Sequence, residues 1–223
     1  MSALAPGQAE RRSMGKKAMA TKAAIIDLAA QMFSERGYVQ TSIRDVAKRA
    51  GLTTGAIYGS FRNKADLLAE AISTRTAEEL EAQSIGLNDE LDYIETLTRL
   101  TSEFPRRRLL RSLLVQGAAA AHTDEATRQR LRDEQLVHVQ AWRDAYERER
   151  ERMGIHPSVN LEVVVLYTWA VELGLGVLEG LGIDPGSPDA WAQIQNRLAR
   201  SLQLPPDDVT RPRPRRRSKA AAT

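Results

Sequence analysis

The chain has 223 residues, 42% of them hydrophobic and 27% charged, long enough to bury one large core or two small ones. It contains no cysteine, which excludes disulfides and thiolate chemistry and fits a reducing cytosol. The net charge of +3 is segregated: residues 1–64 carry eleven Lys/Arg against four Asp/Glu, residues 65–210 fifteen against twenty-five, and residues 211–223 six against none, so one face is expected to meet phosphate while the acidic body avoids it.

Residues 1–15 contain Pro6, Gly7 and Gly15 with little periodicity and read as a disordered arm, made basic by Arg11 and Arg12 and followed by Lys16 and Lys17. Two readings stand for it: an arm that follows a DNA backbone or minor groove, or a mobile tail with no defined contact. A first helix is expected from about Lys17 to Arg36, because Ile25, Leu28, Ala29, Met32 and Phe33 recur at helical spacing. Gly37 ends it. The Thr41 hydroxyl then falls near the start of the next helix, where free N–H groups and a positive dipole end suit a phosphate.

Residues 42–61 read as two short helices joined by a tight turn. Ser42 and Asp45 form a Ser-x-x-acid capping box. Val46, Ala47 and Ala50 give a small apolar face, Gly51 supplies a residue free to adopt positive φ, and Thr53 caps a second helix from Thr54 to about Ser60. Ala47, Gly51 and Ile57 stand at helix-turn-helix spacing: a small residue for close crossing, a turn glycine, and a branched residue that locks the second helix on the first. The N-terminal residues of such a second helix face base edges, so Thr53, Thr54, Gly55 and Tyr58 are the candidate contacts, with Ser42 and Thr41 at the preceding helix start. Gly55 removes a side chain where backbone approaches DNA, Tyr58 offers a hydroxyl to phosphate, and Arg44 points away from the Val46/Ala47 face.

The flanks add to this pattern: residues 21–33, Gly37-Tyr38 and Thr41-Ser42 upstream, and Ala56-Ile57-Tyr58, Phe61, Asn63-Lys64 and Leu67-Leu68 downstream. Over residues 18 to 70 the chain closely resembles the N-terminal DNA-binding domain of the TetR family of bacterial transcriptional regulators. That resemblance implies a three-helix DNA-binding unit, and it makes Lys64 the counterpart of the family's backbone-contacting lysine. Ser60 departs from the histidine often found before Phe61, which removes one expected phosphate contact. No Arg or Asn within the second helix reads bases strongly, so the operator sequence does not follow.

Asn63 caps a fourth helix expected to run to about Gln83, with Leu67, Leu68, Ala71 and Ile72 on its buried face and a turn at 85–88. In the family this helix links the two domains. From Asp89 onward only periodicity guides. Leu91, Ile94, Leu97 and Leu100 mark one helix, and Pro105 starts the next, which carries Leu109, Leu110, Leu113 and Leu114. Arg106, Arg107, Arg108 and Arg111 form a second basic cluster, read as a solvated face rather than a nucleic-acid contact. A long charged helix follows from Asp124 to about Met153. Its His138, Trp142 and Tyr146 are spaced four apart, which fits an apolar ligand pocket and equally fits ordinary packing.

Val159–Leu181 is the most apolar helix, but Glu172 breaks its run, so no segment is expected to span a membrane. Glu172 is either a polar handle in a cavity or a group paired at an interface. Trp191, Ile194, Leu198 and Leu202 define a last helix. Residues 205–223 are a disordered Arg/Pro-rich basic tail, which either adds non-specific DNA affinity or is an inert extension.

The expectation is an all-α chain of about nine helices. It comprises a basic arm over 1–15, a helix-turn-helix DNA-binding domain over 16–64, a larger helical ligand-binding and dimerisation domain over 65–204, and the tail. The three histidines have no metal-ligand spacing, and no phosphate loop or catalytic constellation emerges, so neither an enzyme nor a metal or cofactor is expected. The family resemblance implies a cytoplasmic homodimeric repressor, paired through the last two helices (about 159–181 and 188–203) and released from a palindromic operator by a small molecule. Candidate ligand contacts are His138, Trp142, Tyr146, Trp169 and Glu172. The alternatives are a DNA-binding protein that needs no effector and a ligand-binding module whose basic domain meets a protein partner.

Overall fold

In the computed structural model, which describes residues 6–87 and 93–203, helix α1 spans Pro6–Arg36. It begins well before Lys17, so the reading of residues 1–15 as a disordered arm is corrected from Pro6 onward. Proline fits a first helical turn, where its missing N–H has no partner to lose, and Gln8, Ala9, Glu10, Arg11 and Arg12 all favour helix. Residues 1–5, the basic tail from 204 onward and Leu91 lie outside the described residues.

Helices α2 (Ile43–Ala50), α3 (Thr54–Tyr58) and α4 (Lys64–Leu87) follow. Helix α4 continues through 85–87, where a turn was expected, since no proline interrupts it. Next come α5 (Tyr93–Ser102), a 3-10 turn (Phe104–Arg107) with Pro105 in its first turn, and α6 (Arg108–Thr123). Helix α7 (Glu125–Glu149) is capped by Asp124, whose carboxylate accepts the Thr127 N–H at 2.8 Å. It stops short of Met153 because Gly154, at φ +65°, closes the chain back: its N–H bonds the Glu151 carbonyl, and that of Ile155 bonds the Arg150 carbonyl. Helices α8 (Leu161–Gly180) and α9 (Pro188–Leu202), capped by Asn160 and Ser187, complete an all-α fold of nine α-helices among the described residues.

Two apolar cores organise these helices. The first unites α1 to α4: Ile25, Phe33, Val46, Ile57, Phe61 and Leu68 meet there, and Leu113 of α6 and Leu131 of α7 extend it. Helix α4 therefore belongs to the N-terminal core along its first half, through Leu67, Leu68, Ala71 and Ile72. The second core lies farther along α7, where Val139, Trp142 and Tyr146 pack with Leu161 and Val165 of α8 and Ala199 of α9. Helix α5 lies along α9, tied by Thr98 to Asn196 and by Thr101 to Gln195.

By length and composition α8 passes as a helix able to cross a membrane, despite Glu172. In this fold it packs against α6 and α7, and its carboxylates turn onto arginines of α6 and of the 3-10 turn.

Candidate nucleic-acid interface and interior cavity

The α2–α3 unit is shaped by contacts three to five residues apart. Ser42 accepts the Asp45 N–H at 3.2 Å while the Asp45 carboxylate accepts the Ser42 N–H at 3.0 Å. Hydrogen bonding to Ser42 holds the Asp45 carboxyl below its ordinary pKa. Gly51 sits at φ +67°, where the N–H of Leu52 reaches back to the Ala47 carbonyl at 2.9 Å and its own N–H to that of Lys48 at 3.3 Å. The Thr53 hydroxyl then accepts the Ala56 N–H at 3.2 Å, and Ile57 is fully buried beneath α3.

With Ile57 turned inward, the opposite side of α3 faces solvent. Thr53, Thr54 and Gly55 are exposed, Tyr58 is 56% exposed, and Ser42 and Arg44 on α2 are exposed as well. A Cβ at Gly55 would meet only the Thr53 hydroxyl, at 3.8 Å. Internal packing thus leaves room for a side chain there, and a helical glycine costs about 1 kcal/mol against alanine.

Thr41 and Lys64 stand differently from the sequence expectation. Thr41 is 1% exposed, and its hydroxyl donates to the Gly37 carbonyl at 2.9 Å. It is corrected from a candidate phosphate contact to a clasp on the C-terminus of α1, because its hydroxyl satisfies carbonyls that the ending helix leaves free. Lys64 is half-buried; its ammonium donates to the Tyr38 carbonyl at 2.9 Å and lies 4.3 Å from the centre of the Tyr38 ring. Desolvation lowers its pKa. It ties the 37–41 loop to the start of α4 and keeps part of its surface in solvent.

The N-terminal unit is fixed to the rest by side chains absent from the candidate list. Gln116 of α6 donates to the Phe33 carbonyl at 2.9 Å and accepts the Tyr38 N–H. Next to it, a Cβ at Gly117 would fall 2.6 Å from the Cδ1 of Ile72, so a larger residue there would have to displace the buried Ile72 side chain. Arg130 of α7 pairs with Asp66 and, at 3.2 Å, with Glu70, both on α4.

A cavity opens between α4, α6, α7 and α8. Trp142, Tyr146 and Trp169 line it together with Glu172, so four of the five candidate ligand residues meet in one place. His138 does not line it; the residue is buried in packing along α7, and desolvation lowers its pKa. Sequence reasoning missed two residues here. Arg107 and Arg111, expected on a solvated face, are 6% and 2% exposed and line the cavity, whereas Arg106 and Arg108 are exposed. The Glu172 carboxylate bridges both buried arginines, at 2.6 Å to Arg107 and 3.2 Å to Arg111. Glu179 takes two further Arg111 nitrogens, and Glu79 accepts from Arg107 at 3.1 Å. Burial alone pulls the Arg111 pKa down, but its hydrogen bond to Glu179 and the charges of Glu172 and Glu179 outweigh this and raise it. Gly176 permits the arrangement: a Cβ there would press on the Arg111 backbone and Val115 at 3.0–3.1 Å, so α8 approaches α6 closely enough for its glutamates to reach. Among the described residues no group of three or more His, Asp or Glu is placed to hold a metal ion.

Comparison with known proteins supports this geometry. The sequence model described as "Bacterial regulatory proteins, tetR family" matches residues 25–71, from the middle of α1 into α4. The chain is 35% identical over 129 residues to the HTH-type transcriptional regulator AcrR of Shigella flexneri, covering 57% of this chain and 53% of that protein. It spans about half the length of the curated relatives it matches. Among solved structures, a TetR-family regulator from Rhodococcus sp. superposes with a TM-score of 0.68 at 19% identity, covering 82% of this chain and 98% of that one. FadR of Bacillus subtilis, solved in complex with stearoyl-CoA, superposes with a TM-score of 0.63 at 18% identity, covering 78% and 95%. These structural likenesses are of fold. The helix-turn-helix region, over the matched residues 25–71, is similar to the N-terminal segment of bacterial regulatory proteins of the tetR family.

Proposed function

We propose that the chain is a cytoplasmic DNA-binding transcriptional regulator, acting as a homodimeric repressor that a small molecule releases from a palindromic operator. The observation that carries this reading is the solvent-facing side of α3, where Thr53, Thr54, Gly55 and Tyr58 are all exposed while Ile57 anchors the helix from beneath. That arrangement fits a recognition helix entering a major groove. Ser42 and Arg44 flank it as backbone contacts, and the exposed part of Lys64 reaches phosphate from the start of α4.

Two half-sites call for two copies. Helices α8 and α9 expose Val163, Leu166, Tyr167, Val177, Ile194 and Leu198, an apolar surface suited to a four-helix interface with a second protomer. The effector would occupy the cavity lined by Trp142, Tyr146, Trp169 and Glu172. A related fold was solved with an acyl-CoA bound, which supports a ligand-receiving C-terminal domain. A ligand that prefers the non-DNA conformer by about 100-fold shifts the equilibrium by roughly 2.7 kcal/mol.

The test is selection of bound sequences from a random duplex pool at two salt concentrations, with wild type and Tyr58→Ala. Recovery of a near-palindromic site, lost in the variant, is the expected result. Weak binding that vanishes at higher salt, with no site recovered, would reduce the basic segments to non-specific attraction.

A further inference from the structure

One arginine of α7 reaches three carboxylates at once. Arg130 bonds Glu134 on its own helix through Nε at 2.9 Å, Glu70 of α4 through Nη2 at 3.2 Å, and Asp66 of α4 through Nη1. A planar guanidinium engaged through all three nitrogens is fixed in direction as well as in distance.

From this fork two paths lead to the same place. The buried Asp66 carboxylate also accepts the Arg62 N–H at 2.8 Å, and the Asp66 N–H is accepted by the Asn63 side chain at 2.8 Å, so the group that Arg130 holds shapes the turn between α3 and α4. Glu70 accepts from Lys22 of α1 at 3.2 Å, and the Lys22 ammonium lies 5.5 Å from the centre of the Phe61 ring. Phe61 and Arg62 follow directly on the end of α3, and the Phe61 N–H still bonds the Ile57 carbonyl at 2.9 Å. Whatever fixes these two residues fixes the end of α3.

We propose that Arg130 is a positioning residue for DNA recognition: from the C-terminal helices, through Asp66 and Glu70, it sets the angle at which α3 is presented to a duplex. The inference rests on reading α3 as the recognition helix and adds a specificity determinant outside the helix-turn-helix. Ile72, Leu113 and Leu131 share one core across the same seam, but apolar burial holds helices together without selecting a direction. Gln116 ties down the other side of the unit, at Phe33 and Tyr38, and Arg130 supplies the directional tie beside α3.

The experiment uses the full chain, the duplex recovered by selection and a mixed-sequence duplex of the same length. Dissociation constants for both are measured over a salt series with wild type, Arg130→Met, Arg130→Lys and Glu134→Gln. Arg130→Met is expected to bind the selected duplex at least about tenfold more weakly, comparable with one mismatched base pair, while its affinity for the mixed-sequence duplex and the salt slope hold, because no cation facing phosphate is removed. Arg130→Lys keeps the charge but cannot span three carboxylates, so it should restore only part of the preference. Glu134→Gln leaves both bonds to α4 in place and should keep all of it. In Arg130→Met the Arg62 amide proton should also exchange faster, since its acceptor is no longer held. A purely structural role would weaken both duplexes in proportion to the folded fraction seen by circular dichroism, so equal losses overturn the proposal. If Arg130→Met does not fold, Arg130→Lys decides in the same way. Preference kept in full by the folded arginine variants overturns the proposal alone, whereas a wild type that prefers no duplex overturns the recognition-helix reading and the proposal with it.

Discussion

Beneath α3 the core is closed by Phe33, Ile57, Phe61, Leu67 and Leu68, each 1% exposed or less, and the helices above it are fixed by caps and backbone turns. Between α6 and α8 the interior instead holds Arg107, Arg111, Glu172 and Glu179 around open space. The first region presents a surface whose shape does not depend on what it meets. The second leaves room and carries its order in paired charges, which hold position only while their partners stay. Rigidity at the proposed DNA face and adjustable contacts at the cavity fit the proposed coupling of two sites.

Four measurements break or sharpen this contrast. The largest effect belongs to the dry core: Phe61→Ala should lower stability by roughly 3–5 kcal/mol in urea unfolding, since nothing polar can refill the space. Next comes the charged interior. Glu172→Ala should cost about 3 kcal/mol by leaving Arg107 and Arg111 short of a partner, whereas Arg107→Met combined with Glu172→Leu should recover most of that loss. If the double replacement is as damaging as the single one, the two regions do not differ in the way described.

A pH titration follows. The Tyr146 phenol is pushed from its ordinary value of 10.0 up to about 12 by burial. The unfolded chain therefore ionises first as pH rises, and the stabilisation from the neutral buried phenol is full below pH 10 and lost progressively toward 12. The loss over that range should be roughly 2–3 kcal/mol, and Tyr146→Phe should lose correspondingly less. Smallest is the cap: Ser42→Ala should cost about 1 kcal/mol and lower the melting temperature by a few degrees.

The same contrast decides what was legible in the sequence. Ser42 with Asp45, Gly51 and Thr53 act on neighbours within five residues, so their roles could be read from spacing, and the structure forms each of those contacts. Trp142 and Tyr146 were identified as neighbours because four residues separate them on one helix; their rings lie 6.0 Å apart. Arg107 and Arg111 were misread because the partners that make burial possible, Glu172 and Glu179, lie more than sixty residues away. A trace was present: Arg107 and Arg111 share one helix face with Leu114, and Glu172 and Glu179 are two turns apart on α8. Thr41 was misassigned because its hydroxyl was weighed against the helix that follows it and not against the carbonyls of the helix that ends before it.

Helix α6 joins the two regions mechanically. Arg111 stands near one end, against the cavity, and Gln116 stands five residues on, bonded to the Phe33 carbonyl and the Tyr38 N–H. The helix has sixteen residues and so behaves as a rod of about 24 Å. Gln116 lies about 7.5 Å along the axis from Arg111, so tilting the rod by about 15° about Arg111 moves Gln116 by roughly 2 Å, more than an N–H···O bond tolerates. The Gln116 amide is therefore a displacement gauge. It stays closed while α6 keeps its angle and opens once the angle changes, and its state can be followed by the exchange rate of the Tyr38 amide proton.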